Sequence, residues 1–176
     1  MVFYFFWFRR DLRLSDNTAL FHALSENRQV IPLFIFDTNI IDTLPKDDAR
    51  ISFIYEQLQT IDTHLKKIGS SLLILQGNPK DVWQKIMSEY NVKNIYLNKD
   101  YEPYAIKRDT EITTLAKTNN ITVFSFKDQV IFEENDVLKD DKTPYTIYTP
   151  YKNKWLKAFS LKLCEAKKSE DHLTNL

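Results

Sequence analysis

The side chains in this chain best suited to chemistry are charged groups placed directly after apolar runs. The segment Trp7–Asn17, WFRRDLRLSDN, sets three arginines and two aspartates behind the run Val2–Phe8. Arg9 and Arg10 stand nearest the end of that run, where a guanidinium serves equally as an anion contact or an ion-pair partner. Asp11 and Arg13 suit a pair that holds the turn, and Ser15, Asp16 or Asn17 suits a helix cap. Asp37 follows Val30–Phe36, Arg50 lies near the start of a helical pattern, and Asp100 follows Asn94–Leu97. A carboxylate in such a place is as apt to cap a helix or join a salt bridge as to hold a ligand.

Other chemistries are excluded. The chain has only two glycines, Gly69 and Gly77. A dinucleotide fingerprint or phosphate loop needs clustered glycines so that backbone N–H groups approach phosphate closely, and neither motif can be drawn. His22, His64 and His172 are scattered without zinc-like spacing, and no histidine follows a strand end to activate a nucleophile. Cys164 is the single cysteine, which rules out an internal disulfide and a multi-cysteine metal site.

The elements that must position these residues follow from apolar periodicity. Val2–Phe8, Val30–Phe36, Leu72–Leu75, Asn94–Leu97 and Ile121–Phe126 are short apolar runs that suit strands covered on both faces. Between them lie helical patterns: Thr18–Leu24; Ile51, Ile54, Leu58, Ile61, Leu65 and Ile68 on one face, closed by Gly69; Val82, Trp83, Ile86 and Tyr90 after Pro79; and Ala105, Ile112, Leu115 and Ala116 after Pro103, with Lys107, Arg108, Asp109 and Glu111 more exposed. This alternation predicts an α/β fold, a Rossmann-like five-stranded parallel sheet with helices on both faces. Ligands of such sheets bind beyond the strand C-termini, near the point where strand order reverses. The stretches to watch are therefore Arg9–Arg13, Asp37–Thr38, Gln76–Asn78 and Asn98–Tyr104. Beyond Phe126, Asp128–Asp141 is acidic and loop-like, Lys152–Lys168 reads as a helix, and Ser169–Leu176 reads as a frayed polar end.

The chain's 176 residues suit a single domain, and 43% hydrophobic residues fill a substantial core. Basic and acidic residues number 24 each, so the chain alone is not expected to grip nucleic acid. No apolar stretch is long enough for a membrane span, and the N-terminal run lacks the basic start and cleavage site of a signal peptide; the cytoplasm is the expected location.

Three segments carry a resemblance to a known family. WFRRDLRLSDNTAL (Trp7–Leu20), DYEPYAIKRD (Asp100–Asp109) and PYTIYTPYKNKW (Pro144–Trp155) resemble, in order and spacing, segments of the DNA photolyases and cryptochromes. The resemblance spans nearly the whole chain. It implies the N-terminal domain over 1–165, with 166–176 opening the link to a larger helical domain that holds FAD and damaged DNA. Lacking that domain, the chain by itself would not repair DNA. The parent would be a deoxyribodipyrimidine photo-lyase that splits cyclobutane pyrimidine dimers; the alternatives are a cryptochrome photoreceptor or a stand-alone nucleotide-binding domain in signalling or electron transfer.

For this domain the resemblance implies a second, antenna chromophore that passes light energy to the FAD. Phe34, Ile35 and Phe36 would supply walls for its ring. Arg50 matches the arginine that begins the family's long helix and lies beside the ring in deazaflavin-type sites, and Asp100 matches the aspartate that accepts from a ring N–H. The implied cofactor contacts are Arg9, Arg10, Phe34, Phe36, Asp37, Arg50, Asp100 and Glu102. Folate-binding members carry Asn-Glu two residues beyond Tyr-Glu, where this chain has Tyr104 and Ala105, so a deazaflavin or FMN fits better than folate; an empty pocket is the alternative. Tyr148–Trp155 would pack against the parent's helical domain, and baring that face would favour pairing of two copies.

Overall fold

The computed structural model describes residues 1–26 and 29–176. Its centre is β1 (Phe3–Phe8), whose aromatic run alternates between two cores: Phe6 and Phe8 point to one face, Phe5 and Trp7 to the other. β2 (Val30–Asp37) and β4 (Val92–Asn98) flank it, and β3 (Leu73–Gly77) and β5 (Thr122–Phe126) form the edges. All neighbours are parallel, in the order β3-β2-β1-β4-β5. This is the predicted α/β architecture. The edge strands differ from expectation: their residues are largely half-buried or exposed, because each has only one neighbour and incomplete cover. Pro32 is tolerated in β2 because the ladder to β3 begins one residue later, at Leu33.

Right-handed crossovers that run first one way and then the other from β1 put helices on opposite faces. α1 (Thr18–Glu26) and α3 (Ala49–Lys67) cover the Phe6–Phe8 side, and α4 (Pro79–Glu89) and α5 (Pro103–Thr118) cover the Phe5–Trp7 side. A short helix not foreseen from periodicity, α2 (Thr38–Ile41), follows β2 and is capped by Asp37. Only the middle of the predicted apolar stripe is buried, at Leu58, Ile61 and Leu65; Ile54 packs partly on the core and with Ile51 lines a cleft described below, and Ile68, just past the helix, is exposed because the chain turns away there. Gly69, at φ +84°, ends the helix as expected, with Ser70 N donating to Leu65 O at 3.0 Å.

The C-terminal part departs from the sequence reading. The expected helix over Lys152–Lys168 is instead α6 (Tyr148–Ala158) and a 3₁₀ turn, Leu161–Cys164, because Phe159 is extended. Ser169–Leu176 is not frayed. It forms a second 3₁₀ helix (Ser169–Asn175) packed on α1, with Leu173 in the core, Lys167 N donating to Asp16 Oδ1 (2.8 Å) and Asn175 Nδ2 donating to Leu24 O (2.8 Å). Ser169 is 0% exposed; its hydroxyl donates to Leu14 O (2.8 Å) and accepts from Asn17 N (3.2 Å). Ser169→Ala is expected to destabilise the domain by about 1–3 kcal/mol, since it leaves the buried Asn17 N–H and the half-buried Leu14 carbonyl unmet. Urea denaturation at an unchanged m-value checks this; no change in midpoint would show that water replaces the hydroxyl.

Candidate functional site

The strand order reverses between β1 and β4, where open α/β sheets commonly bind ligands. Here the protein fills that crevice with its own side chains. Asn98, at the end of β4, donates from Nδ2 to Asp11 Oδ2 (2.6 Å) and Asn17 Oδ1 (2.9 Å), and its Oδ1 accepts from Ala19 N (2.9 Å). Asn17 Oδ1 accepts from Leu20 N (3.1 Å), and Asp128 Oδ1 accepts from Thr18 N (2.9 Å). The first-turn amides of α1 are thus satisfied internally, and the recess left beside them measures only about 70 Å³. The helix cap is Asn17, not Ser15 or Asp16. The expected Asp11–Arg13 ion pair is absent as well: Arg13 pairs with Asp128 (2.8 Å), and Asp11 is held by Asn98, Asn17 and the backbone N–H of Arg9.

The larger cavity lies toward β2. It measures about 410 Å³ and opens across the C-terminal ends of β1 and β2, between the start of α3 and the start of α5. Phe34, Ile35, Phe36, Ile41, Ile51 and Ile54 make apolar walls. Every residue selected from the sequence lines it: Arg9, Arg10, Phe34, Phe36, Asp37, Arg50, Asp100 and Glu102. Arg10 reaches Glu102 Oε1 (2.8 Å) and, at 3.5 Å, Asp100 Oδ1. Asp37 caps α2 through Asn39 N (3.0 Å) and accepts from the Tyr104 hydroxyl (2.6 Å). Burial, then the bond to Asp37, pushes the Tyr104 hydroxyl above its ordinary pKa. Arg50 grips Asp48 with Nε (2.9 Å) and Nη2 (2.7 Å), which holds the Asp48 carboxyl at a pKa of about 2. The guanidinium is thereby fixed at the rim of the cavity.

At the base of the cavity Arg9 belongs to an ion-pair cluster whose other members, Arg108 and Asp109, sequence reasoning missed. The guanidinium carbons of Arg9 and Arg108 lie 5.5 Å and 5.1 Å from the Trp7 ring centroid. Asp109 serves both cations, accepting from Arg9 Nη1 and from Arg108 Nε (3.0 Å). The side chains of Arg9 and Arg108 are only 6% and 10% exposed, a correction to the expectation that Arg108 and Asp109 face solvent. Two buried cations share one carboxylate, and donors are left over. Arg9 Nη2 has no hydrogen-bond partner, and Arg108 Nη2 lies 3.0 Å from Asp109 Oδ1 but off the hydrogen-bonding direction. Tyr104, one turn before Arg108, also carries that guanidinium over its ring (5.9 Å). The available signal was the four-residue spacing of Tyr104 and Arg108 on one helix face. Among the described residues, no group of three or more His, Cys, Asp or Glu side chains could hold a metal ion, and no helix is long and apolar enough to cross a membrane.

The family model for DNA photolyase matches residues 4–170. This chain belongs to the DNA photolyase family. Within that family, a deoxyribodipyrimidine photo-lyase of a Synechococcus species is 33% identical over 150 residues, which is 85% of this chain and 31% of the relative. Cryptochrome-1 of Aedes aegypti is 29% identical over 139 residues, 76% of this chain and 26% of the relative. Among solved structures, an archaeal photolyase from Sulfolobus tokodaii with two FAD molecules superposes with a TM-score of 0.75 at 32% identity, covering 89% of this chain and 35% of that one. The chain thus spans about a third of the length of these photolyase relatives. The fold read from alternating strands and helices is that of the photolyase N-terminal domain.

Proposed function

We propose that this domain holds a flat, light-absorbing ring in the cavity between α3 and α5. The parent protein is then a light-dependent DNA repair enzyme that splits cyclobutane pyrimidine dimers with FAD bound in its remaining part. The observation that carries the reading is the cavity itself, in which aromatic and aliphatic walls from β2 and α3 face the charged anchors Arg10, Asp100 and Glu102. A few polar groups on an otherwise apolar cleft orient a ring without reacting with it. When bound, such a ring supplies light absorption and passes excitation to the FAD.

The donor set favours a flavin or deazaflavin over a folate. Ala105 is buried and offers no polar anchor, and the Tyr104 hydroxyl is already committed to Asp37. The relative solved with two FAD molecules points the same way. Ile147, Tyr148 and Leu156 on and beside α6 are exposed, and no residue of α6 is buried; this is the face assigned to the parent's helical domain. The chain by itself repairs nothing on this reading. Because cryptochromes share the domain, a photoreceptor parent is the second reading. Dimer repair by the full-length protein separates the two.

The direct test is titration of the purified 176-residue chain with FMN, a deazaflavin and a folate, followed by absorbance and fluorescence. Saturable binding of a flavin-type ring is expected, weakened about tenfold by Asp100→Ala or Phe34→Ala, with folate weaker. Absence of binding by all three would overturn the chromophore reading and leave the family assignment in place.

A further inference from the structure

Two indoles are packed at and beneath the base of the cavity. Trp7 lines it, and Trp83, 0% exposed, meets Trp7 edge to face with ring centroids 5.6 Å apart. An indole is readily oxidised, and a photoexcited flavin is a strong one-electron oxidant. In the competing step one electron leaves the Trp7 indole, which becomes a radical cation, and the excited ring gains that electron. The excitation is then spent before it can be passed on.

The surroundings of both indoles oppose this step. The Arg9 and Arg108 guanidinium carbons, 5.5 Å and 5.1 Å from the Trp7 centroid, belong to two cations that share the one carboxylate of Asp109. Their side chains are so little exposed that water screens them weakly. A positive charge held against an indole stabilises its electron-rich neutral form and repels the positive charge that oxidation creates. Trp83 offers no way onward. An indole radical cation is trapped by losing its N–H proton, and Trp83 Nε1 is buried with no acceptor among the described residues. Tyr104, the other oxidisable ring among the described residues lining the cavity, also lies under the Arg108 guanidinium, at 5.9 Å.

We infer that Arg9 and Arg108 keep Trp7 from donating an electron to the excited ring, so that the excitation survives to be passed on. The inference rests on the chromophore reading above and adds to it a role for the cations that needs no contact with the ligand. It also gives a reason for holding two buried cations on one carboxylate, where apolar side chains would cost no stability.

The experiment saturates the chain with FMN and reads the fluorescence lifetime of the bound ring. Wild-type chain and Trp7→Phe are expected to give the same lifetime, because Trp7 is silent. In Arg9→Met/Arg108→Met/Asp109→Leu, which leaves no charge unpaired, the lifetime falls about tenfold, since a small drop in the barrier to electron loss suffices. Arg9→Met alone keeps Arg108 and Asp109 as a balanced pair and gives a smaller fall, so the test survives if the triple variant does not fold. Adding Trp7→Phe to either variant restores the wild-type lifetime, which a merely structural disturbance of the cavity would not allow. Thermal melts check folding. A longer lifetime in Trp7→Phe than in wild type, or an unchanged lifetime in the folded arginine variants, overturns the inference and leaves the ring site standing. Failure of FMN to bind overturns the ring site and the inference together.

Discussion

Asp109→Ala is expected to cost the domain about 3–5 kcal/mol, far more than a typical surface ion pair contributes. Asp109 is the carboxylate that serves both Arg9 and Arg108, and these guanidiniums lie against the Trp7 ring with little access to water. Removing it strands two cations whose desolvation is no longer offset. The exposed pair Lys85–Glu89, at 3.9 Å, sets the contrast: Glu89→Ala should change stability by less than about 1 kcal/mol. Urea denaturation reads both, as a lower midpoint at constant m-value. Converting Asp109 to Leu with Arg9 and Arg108 to Met should regain most of the loss, because an apolar replacement leaves no charge unpaired. A loss below about 1 kcal/mol for Asp109→Ala would mean that water reaches the guanidiniums and screens them.

Asn98→Ala is expected to cost about 3 kcal/mol. It removes the group that joins the end of β4 to Asp11, to Asn17 and to the first turn of α1, leaving the Ala19 N–H buried without an acceptor. Asn98→Asp should be no better, since it preserves shape but sets a second carboxylate 2.6 Å from Asp11 Oδ2. Amide exchange gives the discriminating measurement. Faster exchange confined to the first turn of α1, beyond the global loss, is the mark of a lost tie. Uniform loosening of the sheet would instead assign Asn98 a packing role.

Much of the fold was legible because local signals agreed with the global pattern. Pro79 and Pro103 open α4 and α5, Gly69 closes α3, and the aromatic run of β1 announces a strand covered on both faces. Position relative to the strand ends, together with the resemblance, gathered Arg10, Asp37, Asp100 and the β2 aromatics into one list before any contact was known. The rest was hidden for a definite reason. Arg9 and Asp109 are 100 residues apart, and a charged pair on a helix reads as solvent-facing unless its distant partner is known. Asn98 lies in a stretch marked for a ligand, yet its amide bonds only to the protein. The region after Ala158 was misread because its helical propensity continues while its fixed contacts, Ser169 with Leu14 and Lys167 with Asp16, come from the opposite end of the chain.

The strand order also bears on how the molecule is made. β1 is synthesised before the other strands of its sheet, yet it lies in the middle, and its second edge is covered only when Phe3–Phe6 pair with Val92–Tyr96. No pair of adjacent strands forms a hairpin, so every ladder waits for a crossover, and long-range parallel pairing of this kind folds slowly. Until β4 arrives, the stretch FYFFWF offers an open, uncharged and strongly apolar edge. The strand synthesised first is completed almost last, and in that interval the nascent chain is at its most vulnerable to association with other unfinished copies.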